Sequence, residues 1–569
     1  VTDAKNNNTR RDFLKIAAVA GGVAFASAKT RPLYAQTAAA TGGTFDYIVA
    51  GAGHNGLICA AYLAKAGFDV VVLEAKDIVG GNTTSEHMTG TSMVHEPCCN
   101  TPGGLYGSPV YRELDLDEWG VQFANLSTLN GMVRLSQFFD GEILPMWLDP
   151  EQTADEIARF SRRDSQTYLK LMGELRSGPD VGSYRQTPIG YGPTPQEICA
   201  GHPKGATWMR LMRARCVDVV KEYYEDEHVR AWVLDYARGR QPVDDIGTGF
   251  GVGDMYGRQR RGNNTVIGGL GALPESLERL LASYNCPVIT KKYVVELILE
   301  QGKAVGVVAA DGDVFRARRG VVSSAHVQQL LTMTPKGSLP EIFSDNLKQW
   351  QPDILSMFSI MLDVKEAPLF NVHGDWRPGC GNTINTFESQ LRTLADCRIG
   401  VVTRGGVGSK CIVQSLEDPT RCPGGGHTVR ILTHYPYNLA DGGAANWDEI
   451  KYDVANQILD DWRQFAKNLD EENILARYVQ SPLDIAGRNI NNVGGSCHGG
   501  SNYLAQSGEM RPVFGWASHR MPVEGLYLTG AGSHPGGSCH GLPGRNAAWV
   551  ILDDEGKSVP HVLTQLMQT

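Results

Sequence analysis

Two glycine-rich segments near opposite ends of the chain constrain the fold more than any other feature. The first, residues 51–56, reads Gly-Ala-Gly-His-Asn-Gly and follows an apolar run over residues 45–50. The second begins at Gly530 and follows a shorter apolar run over residues 526–529. Each run predicts a strand that ends in a glycine turn and leads into a helix. A pair of such turns indicates one long ligand that is bound by both ends of the chain.

The first segment has the spacing G-x-G-x-x-G, with Gly51, Gly53 and Gly56 at its glycine positions. The first glycine allows a tight turn, the second admits a pyrophosphate, and the third lets the helix pack on the strand. The helix predicted over residues 57–66 directs its N-terminal N–H groups at the phosphates. A second strand, 70–73, ends at Glu74, which is placed to accept hydrogen bonds from a ribose diol and to repel a 2′-phosphate. These features predict a dinucleotide site that disfavours NADP.

A further pair of glycines, Gly80 and Gly81, follows Glu74 at short range and precedes Asn82. Glycines at this point let the backbone pass close to a pyrophosphate or a flavin. A fold that binds only a nicotinamide dinucleotide has no evident need for them. The sequence therefore favours FAD over NAD, with Asn55 and Asn82 among the residues expected to contact it.

Six segments of the chain resemble a single family, in the order that the family has them. They are residues 51–57, 80–81, 268–274, 418–420, 494–499 and 526–548. The chain resembles the phytoene dehydrogenase-like flavoproteins, within the amine oxidase and glutathione reductase type of FAD superfamily. It is most similar to the branch of the pyridine nucleotide-disulfide oxidoreductase domain-containing protein 2 type. The resemblance implies an α/β fold with FAD as cofactor, and backbone around Val295 in contact with the adenine.

The domain organisation that we expect is discontinuous. A Rossmann-type FAD-binding domain is assembled from separated segments, and an α+β substrate domain is built from the segments between them. The FAD-binding parts are residues 44–130, 263–335 and 496–569, and the substrate parts are residues 131–262, which are helical, and 336–495.

The second glycine segment leads into a helix predicted over residues 541–552. We expect five residues here to contact the cofactor, mostly through backbone: Gly532, Gly537, Leu542, Pro543 and Gly544. A helix N-terminus at this position favours the negative charge of a reduced flavin by about 1 kcal/mol. The family's run is usually small and apolar, whereas this chain has Ser-Cys-His at residues 538–540.

The hexapeptide Gly-Gly-Ser-Cys-His-Gly occurs twice, at residues 494–499 and 536–541. One interpretation makes His498 or His540 a general base or a hydrogen-bonding group near the flavin, with Cys539 beside it. A second is a Cys2His2 metal site, which we do not expect because adjacent Cys and His side chains do not readily reach one metal. A third gives both loops a structural role only.

The N-terminus predicts an export signal. Arg10 and Arg11 precede Phe-Leu-Lys and a mildly apolar run, the pattern of a twin-arginine signal within residues 1–36. We therefore expect a periplasmic protein that is exported folded by the twin-arginine machinery. The chain carries a net charge of −9 and residues 1–36 carry +4, so the remainder is near −13, which argues against a nucleic-acid partner.

The function that the sequence favours is an FAD-dependent oxidoreductase: a desaturase, dehydrogenase or oxidase. It would remove two hydrogens from a largely apolar or aromatic substrate by hydride transfer to flavin N5, with oxygen or a quinone as acceptor. The sequence shows no evident cluster of basic residues for an acidic substrate. Two alternatives stay open: a redox-neutral double-bond isomerase, and a non-catalytic flavoprotein with a role in partner binding or assembly.

Overall fold

The chain folds around two β-sheets, as shown by a computed structural model that describes residues 2–3, 41–99, 103–124, 131–237, 241–261, 264–370 and 379–557. The predicted twin-arginine segment lies outside these residues apart from residues 2–3. The strands, in chain order, are β1 (Thr2–Asp3), β2 (Gly43–Ala50), β3 (Val70–Leu73), β4 (Met132–Phe138), β5 (Ile143–Trp147), β6 (Val288–Ile289), β7 (Val294–Glu300), β8 (Lys303–Ala309), β9 (Val314–Ser323), β10 (Ser356–Val364), β11 (Cys380–Ile384), β12 (Lys410–Ile412), β13 (His427–Tyr435), β14 (Ile474–Gln480) and β15 (Leu526–Leu528).

Helices cover both sheets, and short 3-10 turns connect several of them. The α-helices are α1 (His54–Lys65), α2 (Gly103–Tyr106), α3 (Pro109–Glu113), α4 (Pro150–Ala158), α5 (Arg162–Arg176), α6 (Gly182–Gln186), α7 (Pro195–Ala200), α8 (Gly205–Arg213), α9 (Cys216–Tyr223), α10 (Glu227–Ala237), α11 (Val252–Arg261), α12 (Ala272–Ser283), α13 (Leu330–Met333), α14 (Glu341–Lys348), α15 (Phe387–Arg398), α16 (Trp447–Phe465), α17 (Pro482–Arg488) and α18 (Leu542–Asp554).

Sheet I contains the first glycine turn and has the strand order β6-β3-β2-β9-β8-β7, with β15 also paired to β9. Strands β6, β3, β2, β9 and β15 run parallel, whereas β7, β8 and β9 form an antiparallel meander. The four residues of β3 are all buried, as expected for a parallel strand that is covered on both faces. One such cover is the core that α1, α12 and α18 form with the sheet.

Sheet II has the order β1-β14-β10-β13-β12-β11-β4-β5. One face is apolar and packs on α16 through Trp447 and Trp462, both fully buried. The opposite face carries polar side chains, because the side-chain period of a strand is two. Ser136, Asn382 and Lys410 lie opposite one another on this face along β4, β11 and β12.

The strands and helices around the first glycine turn are confirmed at nearly the predicted bounds. Strands β8 and β9 are joined by a hairpin turn at Asp311-Gly312, with Gly312 at φ +93°. Within residues 131–262, which were expected to be helical, α4 and α5 are separate helices, and Ser161 caps α5 by accepting a hydrogen bond from the Asp164 N–H. The hairpin of β4 and β5 lies in a segment that was expected to be helical.

A buried arginine joins the two sheets. The Arg421 side chain is 1% exposed, and its guanidinium donates to Glu96 Oε1 at 2.5 Å, to Asp418 Oδ2 at 3.1 Å and to the Val266 carbonyl at 3.0 Å. The same two carboxylates accept the N–H groups of Gly268 and Leu270. Three segments that are distant in sequence, around residues 96, 268 and 420, are therefore held at one point.

The twelve cysteines all lie in the described ranges as unoxidised thiols, and ten of them are buried. Within the same ranges, no helix is long and apolar enough to cross a membrane.

Replacing Arg421 tests whether this point of contact holds the two sheets together. Arg421→Met leaves two buried carboxylates without their counter-charge, so we expect the free energy of unfolding to fall by about 3–5 kcal/mol. Denaturation in urea, followed by circular dichroism, measures the change. Arg159→Met is the control, because Arg159 forms an exposed pair with Glu156 and should change stability by about 1 kcal/mol or less. Equal effects of the two substitutions would contradict this role.

Candidate active site

The first glycine loop has the geometry of a phosphate-binding turn. Gly51 has φ +112°, a conformation open mainly to glycine. A Cβ on Gly56 would lie 2.0 Å from the Gly51 carbonyl oxygen, whereas a Cβ on Gly53 would meet no protein atom within 4 Å. Gly53 caps α1, and Gly53, His54 and Asn55 line the main cavity. The helix N-terminus thus faces open space of the kind that an anionic group fills.

Glu74, the expected ribose acceptor, stabilises this turn through hydrogen bonds from backbone N–H groups. Its carboxylate accepts the Ala52 N–H at 2.8 Å through Oε2 and the Lys76 N–H at 2.9 Å through Oε1. Burial raises the pKa of the Glu74 carboxyl. Each oxygen retains acceptor capacity for a second donor, and contact with a ribose stays a prediction.

The second glycine pair packs against the first. The Gly80 N–H donates to the Ala52 carbonyl at 2.8 Å, and Gly81 has φ +61°. A Cβ on Gly81 would lie 3.2 Å from the Gly53 Cα. Asn82 follows, and its Nδ2 donates to Asn492 Oδ1 at 2.7 Å and to the Cys497 carbonyl at 3.2 Å. Asn82 therefore ties this loop to the segment that carries the first hexapeptide.

The C-terminal glycine run is closely packed. A Cβ on Gly532 would lie 2.3 Å from Val327 Cγ1, and one on Gly544 would lie 2.4 Å from the Asn55 carbonyl oxygen. Gly541 adopts φ +72° and caps α18, which begins with Leu542 and Pro543. The last helix therefore packs directly on the first one, and the glycines are needed because no side chain fits.

His54 joins the two glycine loops. Its Nε2 lies 3.0 Å from the Ser538 carbonyl oxygen. Burial lowers the pKa of His54 to about 4, so the ring is neutral at pH 7 and can donate an N–H to that carbonyl. The two ends of the chain meet here.

One cavity of ≈ 810 Å³ extends from these loops to the polar face of sheet II. Its volume is in the range of cofactor and substrate pockets, about 300–1,000 Å³. Asn55 Oδ1 and both polar atoms of the Asn264 amide are buried at this cavity without a hydrogen-bond partner. Buried polar atoms of this kind call for a ligand that supplies partners. A dinucleotide, with its phosphates and hydroxyl groups, fits such a lining.

His498, a predicted catalytic residue, lines the cavity with its side chain 25% exposed. Its Nδ1 lies 3.6 Å from Asp353 Oδ2, and that oxygen accepts the Ser496 hydroxyl at 2.5 Å. The second oxygen, Asp353 Oδ1, is buried without a hydrogen-bond partner. A carboxylate behind an imidazole orients the ring and supports its protonation during a proton transfer.

The two other predicted catalytic residues also line the cavity. His540 Nδ1 lies 3.1 Å from the Leu542 N–H, and its Nε2 lies 3.2 Å from an Arg185 nitrogen. Cys539 is 6% exposed and belongs to the core under sheet I. The two hexapeptides touch each other, because a Cβ on Gly537 would lie 2.4 Å from the His498 carbonyl oxygen.

Some predicted cofactor residues lie behind the cavity rather than on its surface. Val295 is 38% exposed on β7 and lies outside the described lining. Gly51, Gly56, Gly80, Leu542, Pro543 and Gly544 support the loops from beneath, and Gly53, Asn55, Gly81, Asn82, Gly532 and Gly537 line the cavity. Among the described residues, no three His, Cys, Asp or Glu side chains are grouped to hold a metal ion.

Sequence reasoning missed the polar wall opposite the glycine loops. Arg134 on β4, Lys410 on β12 and His434 on β13 all line the cavity. They are far apart in sequence, and only the strand order of sheet II brings them together. The available signal was the alternation of Arg134 and Ser136 with apolar neighbours in β4, within a segment that we expected to be helical.

Comparison with known proteins supports a nucleotide-binding oxidoreductase fold. A family model described as an NAD(P)-binding Rossmann-like domain matches residues 49–105. The chain is 28% identical to pyridine nucleotide-disulfide oxidoreductase domain-containing protein 2 of Mus musculus, over 90% of this chain and 94% of that protein. It is 24% identical to a limonene dehydrogenase chain of Castellaniella defragrans, over 90% of this chain and 95% of that protein.

Among solved structures, putrescine oxidase bound to putrescine has a TM-score of 0.60 at 16% identity, covering 90% of this chain and 99% of that one. Cyclohexylamine oxidase from Brevibacterium oxydans has a TM-score of 0.55 at 16% identity, covering 90% of this chain and all of that one. These likenesses confirm the predicted fold class, a Rossmann-type domain beside an α+β domain.

Gly53→Ala tests the cofactor position separately from the fold. The φ of Gly53 is −67°, which any residue adopts, and the added methyl meets no protein atom. We expect the apoprotein to keep its thermal midpoint while its affinity for FAD falls about 10- to 100-fold, since an overpacked contact costs about 1–3 kcal/mol. FAD titration and thermal unfolding measure the two quantities.

Gly107→Ala is the matched control, because its Cβ also meets no protein atom within 4 Å and Gly107 lies outside the described lining. This variant should bind FAD normally. Unchanged FAD affinity in Gly53→Ala would place the phosphates elsewhere.

Proposed function

We propose that the protein is an FAD-dependent oxidoreductase that removes two hydrogens from an organic substrate with a largely apolar body. The observation that carries this proposal is the continuous cavity between the two glycine loops and the polar face of sheet II. One wall has the geometry of a dinucleotide site, and the other has the side chains of a substrate site. A relative named as a dehydrogenase supports hydrogen removal.

The glycine loops would hold FAD. The N-terminus of α1 faces the space for its phosphates, and Asn55 and Asn82 supply polar contacts along the same wall. Gly532 and Gly537 line the cavity, and they let the C-terminal loop pack directly on Val327 and on the His498 backbone. When bound, FAD supplies a two-electron acceptor at N5.

His498 would take the proton that leaves the substrate. It lines the cavity, and Asp353 Oδ2 lies 3.6 Å from its Nδ1, close enough to stabilise a charged ring. With the Nδ1 proton directed at that carboxylate, the ring's lone pair is on Nε2, which is the arrangement that a general base requires. The ring then accepts the proton, and the carboxylate stabilises the resulting charge.

The apolar part of the substrate would contact the side chains of Ala237, Phe250, Met357, Ile412 and Leu432, which all line the cavity. We further propose oxygen or a quinone as the electron acceptor and export to the periplasm by the twin-arginine route. The sequence at residues 10–15 supports the export proposal.

The absorption spectrum of the purified protein tests the central proposal. We expect a bound flavin, and loss of its absorption when an oxidisable substrate is added without oxygen. Turnover of a substrate without an acceptor and without bleaching would instead indicate an isomerase. Absence of flavin from the purified protein, together with no binding of added FAD, would overturn the proposal.

His498→Gln tests the proton acceptor. Removing a general base lowers a rate about 10²- to 10⁴-fold, so we expect flavin reduction to slow by that factor with FAD content unchanged. Stopped-flow absorbance under anaerobic conditions measures the rate. His228→Gln serves as control, since His228 contacts Asp140 and lies outside the described cavity lining. Reduction at the wild-type rate in His498→Gln would remove His498 from the mechanism.

A further inference from the structure

The substrate wall of the cavity presents two cations from one sheet face. Arg134 lies in β4, and Asn382 of β11 pairs with both Ser136 of β4 and Lys410 of β12. Since partners across a ladder and residues two apart along a strand share a face, Arg134 and Lys410 project from the same side. Their strands are two ladder spacings apart, about 10 Å. Two long side chains can span this distance and contact the same small group.

Arg134 has an incomplete set of partners. Its side chain is 3% exposed, and Nη1 is buried without a hydrogen-bond partner. Asp235 Oδ2 lies 3.7 Å from Nη1, beyond hydrogen-bond distance, and that oxygen instead accepts the Asn382 amide at 2.7 Å. A buried guanidinium N–H without an acceptor is costly unless a ligand supplies one.

The described lining of the cavity is positively charged. It contains Arg134, Arg185 and Lys410, but no aspartate or glutamate. Two carboxylates outside the described lining approach it: Asp235 lies 3.7 Å from Arg134 Nη1, and Asp353 lies 3.6 Å from His498 Nδ1. The whole chain, in contrast, has a net charge of −9. Because a cleft lined by one sign of charge concentrates ligands of the other sign, this cavity favours an anionic ligand.

We propose that the substrate is a carboxylic acid with an apolar body, and that Arg134 and Lys410 bind its carboxylate. Arginine matches the geometry of a carboxylate through paired N–H donors, and lysine adds a compact charge. The apolar side chains of Phe250, Ile412 and Leu432 line the same cavity and contact the remainder of the molecule. This inference rests on the proposed function and names the class of substrate.

The experiment uses the FAD-loaded protein with benzoate as the probe and benzamide as its neutral analogue. We expect benzoate to perturb the flavin absorption spectrum and to raise the thermal midpoint, with a dissociation constant at least 10-fold below that of benzamide. In Lys410→Met the benzoate dissociation constant should rise at least 10-fold, whereas in Lys410→Arg it should stay within about 3-fold. FAD content should be the same in all three proteins.

Arg134→Met can fail to fold because it leaves Asp235 buried beside a neutral residue. The double variant Arg134→Met with Asp235→Asn removes both charges, and we expect it to lose benzoate binding as Lys410→Met does.

Three results would overturn the carboxylate proposal while flavin binding and flavin reduction persist. They are equal binding of benzamide and benzoate, benzoate binding that is unchanged in Lys410→Met, and binding of inorganic phosphate that is tighter than that of benzoate with the same dependence on Lys410. A protein without flavin would overturn the proposed function itself. The two failures are therefore distinguishable.

Discussion

The architecture depends on one buried charge, the guanidinium of Arg421. Arg421 comes from the substrate side of the chain, and its guanidinium binds Glu96 near the first glycine loop and the Val266 carbonyl before α12. Both carboxylates that neutralise it also accept backbone N–H groups of the segment around Gly268. A buried ion pair of this kind adds little stability over an apolar contact but strongly penalises any arrangement that separates its members. It therefore fixes how the two sheets lie relative to each other, and with them the two walls of the cavity.

The parts of the fold that sequence could predict are those with local signals. The turn at Gly51 follows a short apolar strand and precedes a helix, and each boundary has its own residue type. The substrate domain was harder, because its interruptions come from capping and tertiary packing. Ser161, for example, starts α5 separately from α4 by accepting one hydrogen bond from the Asp164 N–H. Strand β4 is buried along its whole length, and its alternation is limited to Arg134 and Ser136, which is too short a signal to identify a strand.

The candidate site divides in the same way. Its glycine loops were predicted because the glycines at residues 51–56, 80–81 and 530–544 lie in short segments with local signals. Its substrate wall was not, because Arg134 and Lys410 meet only through the register of β4, β11 and β12. The register between strands that are distant in sequence cannot be read from the spacing of residues within one strand. The predicted ribose contact of Glu74 had a local signal, and the structure adds that the same carboxylate fixes the turn of the phosphate loop.

Residues 526–544 close one side of the site, and this has a consequence for how the protein folds. Strand β15 pairs with β9, Gly544 packs on the Asn55 backbone, and His54 bonds to Ser538. A growing polypeptide that has not yet reached residue 544 has the first glycine loop but lacks the C-terminal glycine run that packs against it. This side of the cavity is therefore completed only after residues 526–544 have been synthesised and have packed on α1 and β9.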